Sequence, residues 1–244
     1  IILNGDDVTF VCEGRIGIQL GVRFIEILSE KKLSLSDQKD VNLSACAGIA
    51  IVKSHFPFHR AYELAESLCA SAKKKAKALN KAEPGCWFDY HIVYSGFQQD
   101  LDMEREEVYS VPDINTPSSM DYPKYHLLLR PFQVNGGCPN EEDKWDETLK
   151  VYDHLTKNWP RLRLKSLRND LKASASLAEE SMVVHRSRGF DLPKFNFHGS
   201  SSNGENPFSA SNQTPYYEPL ELLDFYIPEL NLGKTQNPSN GGES

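Results

Sequence analysis

LSACAGIAIV, residues 43–52, is a run of small and apolar side chains with no charge in it. Such a run reads as a central strand buried on both faces. The loop KSHFPFH (53–59) follows, and Pro57 sits at the start of the next helix, where its missing N–H costs nothing. From Phe58 to Leu79 the spacing is helical, with Ala61, Leu64, Ala65, Leu68 and Ala72 on one face. The helix ends in the basic run AKKKAKALNK, and Pro84-Gly85 stops it. CWFDYHIV (86–93) then reads as a second strand. Strand, helix, strand is the nucleus of the fold.

Upstream, IILNGDDVTFVCEG (1–14) places Asn-Gly-Asp-Asp between two apolar runs, a strong hairpin signal. Arg15 to Lys32 has helical spacing, and Ser34 to Asp40 is a polar loop. The order hairpin, helix, strand, helix, strand predicts an α+β layer in which the two helices cover one face of an antiparallel sheet. Downstream, residues 96–123 are acidic and then Pro/Ser-rich, and read as a linker or insertion. YHLLLRPF (125–132) returns to strand. Helical stretches follow at Glu141–Lys157 and Leu162–Glu180, and Pro219–Leu230 is amphipathic. This organises the chain as 1–95, a linker at 96–123, and an α-rich region at 124–232. Within that region 186–215 is a mobile loop, and 233–244 is a disordered tail.

The net charge of −7 provides no global basic field, so any polyanion site has to be a local patch, and no direct nucleic-acid site is identified. No stretch of about 18 apolar residues is available to span a membrane. The five cysteines are odd in number and lack a C-x-x-C pair, which disfavours a disulfide framework or a zinc site and fits a reducing cytoplasm. Cys12, Cys46 and Cys86 read as small core residues. The chain starts at Ile1 inside a strand-like run with no basic leader, which reads as a fragment lacking an N-terminal part.

Asp6 and Asp7 are the leading chemical signal. Adjacent carboxylates repel each other, and a divalent cation relieves that; Mg²⁺ favours one or two carboxylates plus phosphate oxygens. Gly5 allows the backbone to approach a phosphate closely. The plainer reading is that Asn-Gly-Asp-Asp is simply good turn chemistry. The run Lys73, Lys74, Lys75 and Lys77 is either a solvated helix end favoured by the dipole or a source of one phosphate-facing lysine. His55 and His59 are four apart, but Pro57 between them disfavours a helical metal pair. Ser44 reads as a core or edge residue before its strand. No Ser-His-Asp pattern, P-loop or Rossmann fingerprint is present.

In their order, the hairpin, LSACAGIAIVKSHFPFHRAYELAESLCASAKKKAK and CWFDYHIV resemble a known palm domain. It is that of the large polymerase-cyclase subunit of type III CRISPR effector complexes and its stand-alone relatives, a ferredoxin-like fold akin to the GGDEF diguanylate cyclases. The resemblance covers residues 1 to about 95 and extends weakly through Leu127–Phe132, Arg161–Leu171 and Leu220–Asp224. It implies that Asp6 and Asp7 hold Mg²⁺ or Mn²⁺ and are catalytic. Asn4, Gly5 and Lys73 would line the nucleotide, with Lys73 at the phosphates. The implied chemistry joins ATP molecules through attack of a 3′-hydroxyl on an α-phosphate, releasing pyrophosphate and yielding cyclic oligonucleotide second messengers in antiviral defence. Implied partners are RNA-guided effector subunits or a second palm, in the cytoplasm. Asn4 stands where the family has the first glycine of Gly-Gly-Asp-Asp. A further metal-binding aspartate of the family comes from a strand that would precede Ile1, so these residues alone are expected to be inactive. A non-catalytic palm acting as scaffold, and a diguanylate-cyclase-like enzyme with Val8 where that family has Phe, are the alternatives.

Overall fold

Gly48 sets the packing of the N-terminal half. In a computed structural model describing residues 1–34, 40–79, 85–94, 100–112, 124–134, 145–197, 200–202 and 204–228, a β-carbon at Gly48 would lie 1.9 Å from the Ala65 carbonyl oxygen and 2.4 Å from the Cys69 amide nitrogen. Gly48 belongs to strand β5 (Cys46–Ile51), and the atoms it would meet belong to helix α2 (Phe58–Leu79). The helix therefore rests directly on the strand, which only a glycine allows.

Alternation along β5 divides its side chains between two helices. Cys46 and Ala50 turn to α2 with Gly48, packing beside Ala72 and Ala76 or beside Leu64 and Leu68. Ile49 and Ile51 turn the other way, to α1 (Gly14–Ser29), where they meet Gly14, Gly17 and Gly21. The class is α+β, as the element order predicts, but α1 and α2 lie on opposite faces of β5 rather than together on one. The sheet is also mixed rather than antiparallel. Strand β6 (Cys86–Ile92) runs parallel to β5 because α2 carries the chain back over, while β9 (Phe132–Val134) pairs antiparallel on the far side of β6. The central, wholly buried strand is thus β6, and β5 is an edge strand whose side chains are mostly half-buried.

The hairpin, β1 (Ile2–Asn4) and β2 (Asp7–Thr9), is a separate two-stranded sheet. It is exposed, and so is Cys12, contrary to its reading as a core residue. A second small hairpin, β3 (Lys32–Ser34) with β4 (Asp40–Asn42), takes up the end of the expected first helix and the flanks of the expected polar loop.

Described parts of 96–123, expected as a linker or insertion, form α3 (Leu101–Tyr109) and β7 (Ser110–Pro112). Asp100 caps α3 by accepting a hydrogen bond from the Asp102 amide. Leu101 packs with Leu64, Leu68 and Val93. β7 pairs with β8 (Lys124–His126). The helical region comprises α4 (Trp145–Asn158), α5 (Arg161–Ala173), α6 (Ala175–Arg186), the short α7 (Tyr217–Glu221) and a 3₁₀ turn at Leu222–Asp224. The expected single helix over 162–180 divides because Ser174 adopts extended backbone and caps α6, its hydroxyl accepting from the Leu177 amide at 3.1 Å.

The stretch 186–215, read as a mobile loop, contains β10 (Phe195–Phe197) and β11 (Ser200–Ser202) and supplies Leu192, Phe195 and Phe208 to the core. The tail 233–244 lies outside the described residues. The largest hydrophobic cluster joins α1, β6, β9 and the C-terminal helices, and two smaller clusters lie under α2. Phe88 of β6, for example, meets Trp145 of α4 edge-on at 5.0 Å. Among the described residues, no helix is long and apolar enough to cross a membrane.

Candidate functional site

Gly5 takes φ 65° at the first central position of a two-residue turn, with Asp6 second and Asn4 paired to Asp7 across it. That is the pattern of a type II′ turn, in which only the first central residue needs a left-handed backbone. The glycine that the turn requires is therefore Gly5, and Asn4 closes the ladder. A β-carbon at Gly5 would have no atom within 4 Å, so the turn is open on its outer side.

Asp6 and Asp7 are both exposed, and among the described residues neither makes an ion pair. Their environments differ. The strand alternation of β2 sends Asp7 and Thr9 to one side, where α2 lies. The acidity of the Tyr62 hydroxyl is weakened first by the Glu66 carboxylate, with Asp7 adding to the effect. Tyr62, Glu66, Cys69 and Lys73 are spaced 4, 3 and 4 apart and so form one stripe on α2. Cys69 lies within the fields of Asp7, Glu66 and Lys73, and its thiol is pushed up mainly by burial. The stripe thus carries the hairpin carboxylate at one end and Lys73, about 6 Å beyond Cys69 along the axis, at the other.

Beneath the stripe, the Cys69 thiol donates to the Cys46 carbonyl at 3.3 Å. Burial and the neighbouring Cys69 push the Cys46 thiol up to about 11, so neither thiol is a ready nucleophile. Lys73, Lys74 and Lys77 are exposed. His55 lies in the loop and His59 in the first turn of α2, both exposed, so they do not form a helical pair. Ser44 is exposed ahead of β5.

Two adjacent carboxylates on an open turn fit half of a Mg²⁺ or Mn²⁺ site. Among the described residues, no three His, Cys, Asp or Glu side chains converge as a metal-binding group. The structure brings Asp7 and the Lys73-bearing face of α2 together, and leaves Asp6 at the turn with the solvent.

A second polar centre is buried in the core, unforeseen from the sequence. The Arg130 guanidinium donates to Glu218 at 2.8 Å, to Glu221 at 2.6 Å and to the Tyr90 carbonyl at 2.6 Å. It also stacks 3.9 Å from the Tyr90 ring. Glu218 accepts further bonds from the Leu129 and Arg130 amides, and Glu221 accepts one from the Tyr109 hydroxyl. Nearby, Arg105 grips Asp89 with two hydrogen bonds of 2.7 and 3.0 Å and also reaches the Tyr90 carbonyl. Burial, opposed by Arg130, pushes the Glu218 carboxyl up to about 7. Burial and the two arginines push His91 down to about 3, so its imidazole is neutral. One signal could have revealed the cluster: Arg130 ends an apolar run, and Glu218 and Glu221 stand three apart in another, and buried charges must be paired. Beside it opens a cavity of ≈ 370 Å³ lined by His91, Tyr94, Glu104, Glu107, Ser110 and Lys172 among others.

Compared with known proteins, the chain matches no family model and no curated protein.

Proposed function

We propose that this chain carries the hairpin half of a palm-type nucleotidyltransferase or nucleotide cyclase acting on ATP, of the kind found in type III CRISPR polymerase-cyclase subunits. The observation that carries the reading is that Asp7 of the hairpin acts on Tyr62 and Cys69, on the face of α2 that ends at Lys73. Asp6 and Asp7 hold the cation on an open turn. A bound Mg²⁺ or Mn²⁺ would activate the attacking hydroxyl and neutralise charge on the phosphates. Gly5 keeps the turn free of a side chain where a triphosphate would lie. Lys73 places a positive charge one helical turn beyond Cys69, suited to the phosphates. The product would be a cyclic or oligomeric nucleotide messenger made in the cytoplasm, with a further carboxylate completing the site.

The test incubates the intact protein with labelled ATP or GTP and Mg²⁺ or Mn²⁺, alongside the Asp6→Ala/Asp7→Ala variant. Product from the wild type that disappears in the variant supports the reading, and the preferred nucleotide separates the ATP-using enzyme from a diguanylate-cyclase-like one. Product that persists in the variant removes Asp6 and Asp7 from the chemistry.

A second reading, a non-catalytic palm serving as scaffold, draws on the apolar exposure of the hairpin. Leu3 and Val11 are 71% and 76% exposed. Complete absence of product under all four combinations of nucleotide and metal would favour it.

A further inference from the structure

In a chain of net charge −7, helix α5 carries five cations, Arg161, Arg163, Lys165, Arg168 and Lys172, against one carboxylate, Asp170. Asp170 accepts a hydrogen bond from Ser181 of α6 and is turned toward that helix. Four of the cations, at 161, 165, 168 and 172, recur at intervals of 4, 3 and 4 and form a stripe about 16 Å long on one face. Arg161, Lys165 and Arg168 all converge on Asp224, at 2.8, 2.9 and 3.1 Å. A single carboxylate answers three cations there, which leaves an excess of two positive charges. Binding the C-terminal turn explains why one or two of these cations are present, and leaves the rest to be explained.

The stripe continues to an aromatic. The Lys172 ammonium lies 5.7 Å from the centre of the Tyr94 ring, which is 41% exposed and is braced edge-on by Phe225 at 6.0 Å. Of the neighbouring acids, Glu104 feels Lys172 and lines the adjoining cavity with Glu107, and Glu221 is buried on Arg130. The surface therefore combines a row of cations with a braced, half-exposed ring at its end. A phosphate backbone can follow the row, and an unpaired base can stack on the ring; a duplex hides its bases from such a platform.

We propose that the α5 stripe with Tyr94 binds the backbone of single-stranded nucleic acid without reading its sequence. This surface uses none of the residues assigned to the hairpin, so the inference stands independently of the catalytic reading.

The test measures fluorescence anisotropy of labelled oligo-dT and oligo-U of about 12 nucleotides as they bind the full chain over a range of salt concentrations. Non-specific sites of this kind have dissociation constants of roughly 10⁻⁴–10⁻⁶ M. The three net charges of the stripe give a log–log salt slope on a single strand of about −2.1, and Lys165→Ala/Lys172→Ala should cut it to about −0.7. Tyr94→Ala should weaken binding about tenfold with the slope unchanged. Asp6→Ala/Asp7→Ala should bind like the wild type, and loss of binding there would move the strand to the hairpin and overturn the assignment. Failure to bind at low salt would also overturn it, as would binding indifferent to the α5 and Tyr94 variants. Duplex DNA or polyglutamate binding at least as tightly as the single strand would show that the stripe does not recognise single-stranded nucleic acid.

Discussion

A methyl group added at Gly48 would collide with the backbone of α2 at both Ala65 and Cys69, and backbone cannot rotate away as a side chain can. Gly48→Ala should therefore cost about 3 kcal/mol, the upper end of ordinary overpacking. Gly5→Ala meets no atom and suffers only the left-handed backbone, about 1–2 kcal/mol. Urea midpoints of the two variants check the order. Two other residues set opposite responses to pH. Glu218 binds its proton more tightly folded, at about 7, than at its ordinary 4.5. Its contribution to stability is complete below 4.5 and is lost as pH rises through about 7. His91, at about 3 against an ordinary 6.5, contributes fully above 6.5 and loses that contribution as pH falls toward 3. Urea unfolding from pH 4 to 8 should show Glu218→Gln flattening the alkaline decline and His91→Gln the acidic one. Slopes unchanged in both variants would refute these assignments.

Ser174 separates α5 from α6 with one hydroxyl. Ser174→Ala should lower stability by about 1 kcal/mol and Ser174→Asp should restore most of it, as read by thermal unfolding. The break was hard to foresee because apolar spacing runs through it, from Leu167 and Leu171 to Ala175 and Ala178. Spacing did reveal α2, whose Leu64, Leu68 and Ala72 are buried as predicted, and it revealed β6. It could not tell which strand was central. Small side chains in β5 suit a strand pressed between two helices as well as one lying between two strands, and Gly48 and Gly21 answer to helix contacts instead. At the candidate site, Asp6, Asp7 and Gly5 were visible as turn chemistry. The nearness of Asp7 to Tyr62 and Cys69 was not, since it depends on how the hairpin lies against α2.

Across the whole molecule, Arg130 joins β6 to the C-terminal segment through a charge that no water reaches; its side chain and those of Glu218 and Glu221 are 0–1% exposed. Arg130→Ala strands two buried carboxylates and should cost about 3–5 kcal/mol. Replacing all three, Arg130→Met with Glu218→Gln and Glu221→Gln, should cost less than the single change, because no charge is left without its partner. Chemical denaturation of the two variants decides, and a triple variant weaker than the single one would show that the pairing outweighs desolvation. Such long-range pairing is invisible to local sequence patterns.

That pairing also sets a clock for the nascent protein. The partners of Arg130 lie 88 and 91 residues later in the chain. At ordinary translation speeds the ribosome makes them roughly 4–18 s after Arg130 itself. Through that interval the interior cannot close over the guanidinium without leaving it unpaired. Assembly around β6 therefore waits for the segment bearing Glu218 and Glu221 to emerge. Ribosome-arrested chains should stay protease-sensitive at β6 until Glu221 has cleared the exit tunnel, and resist cleavage soon after.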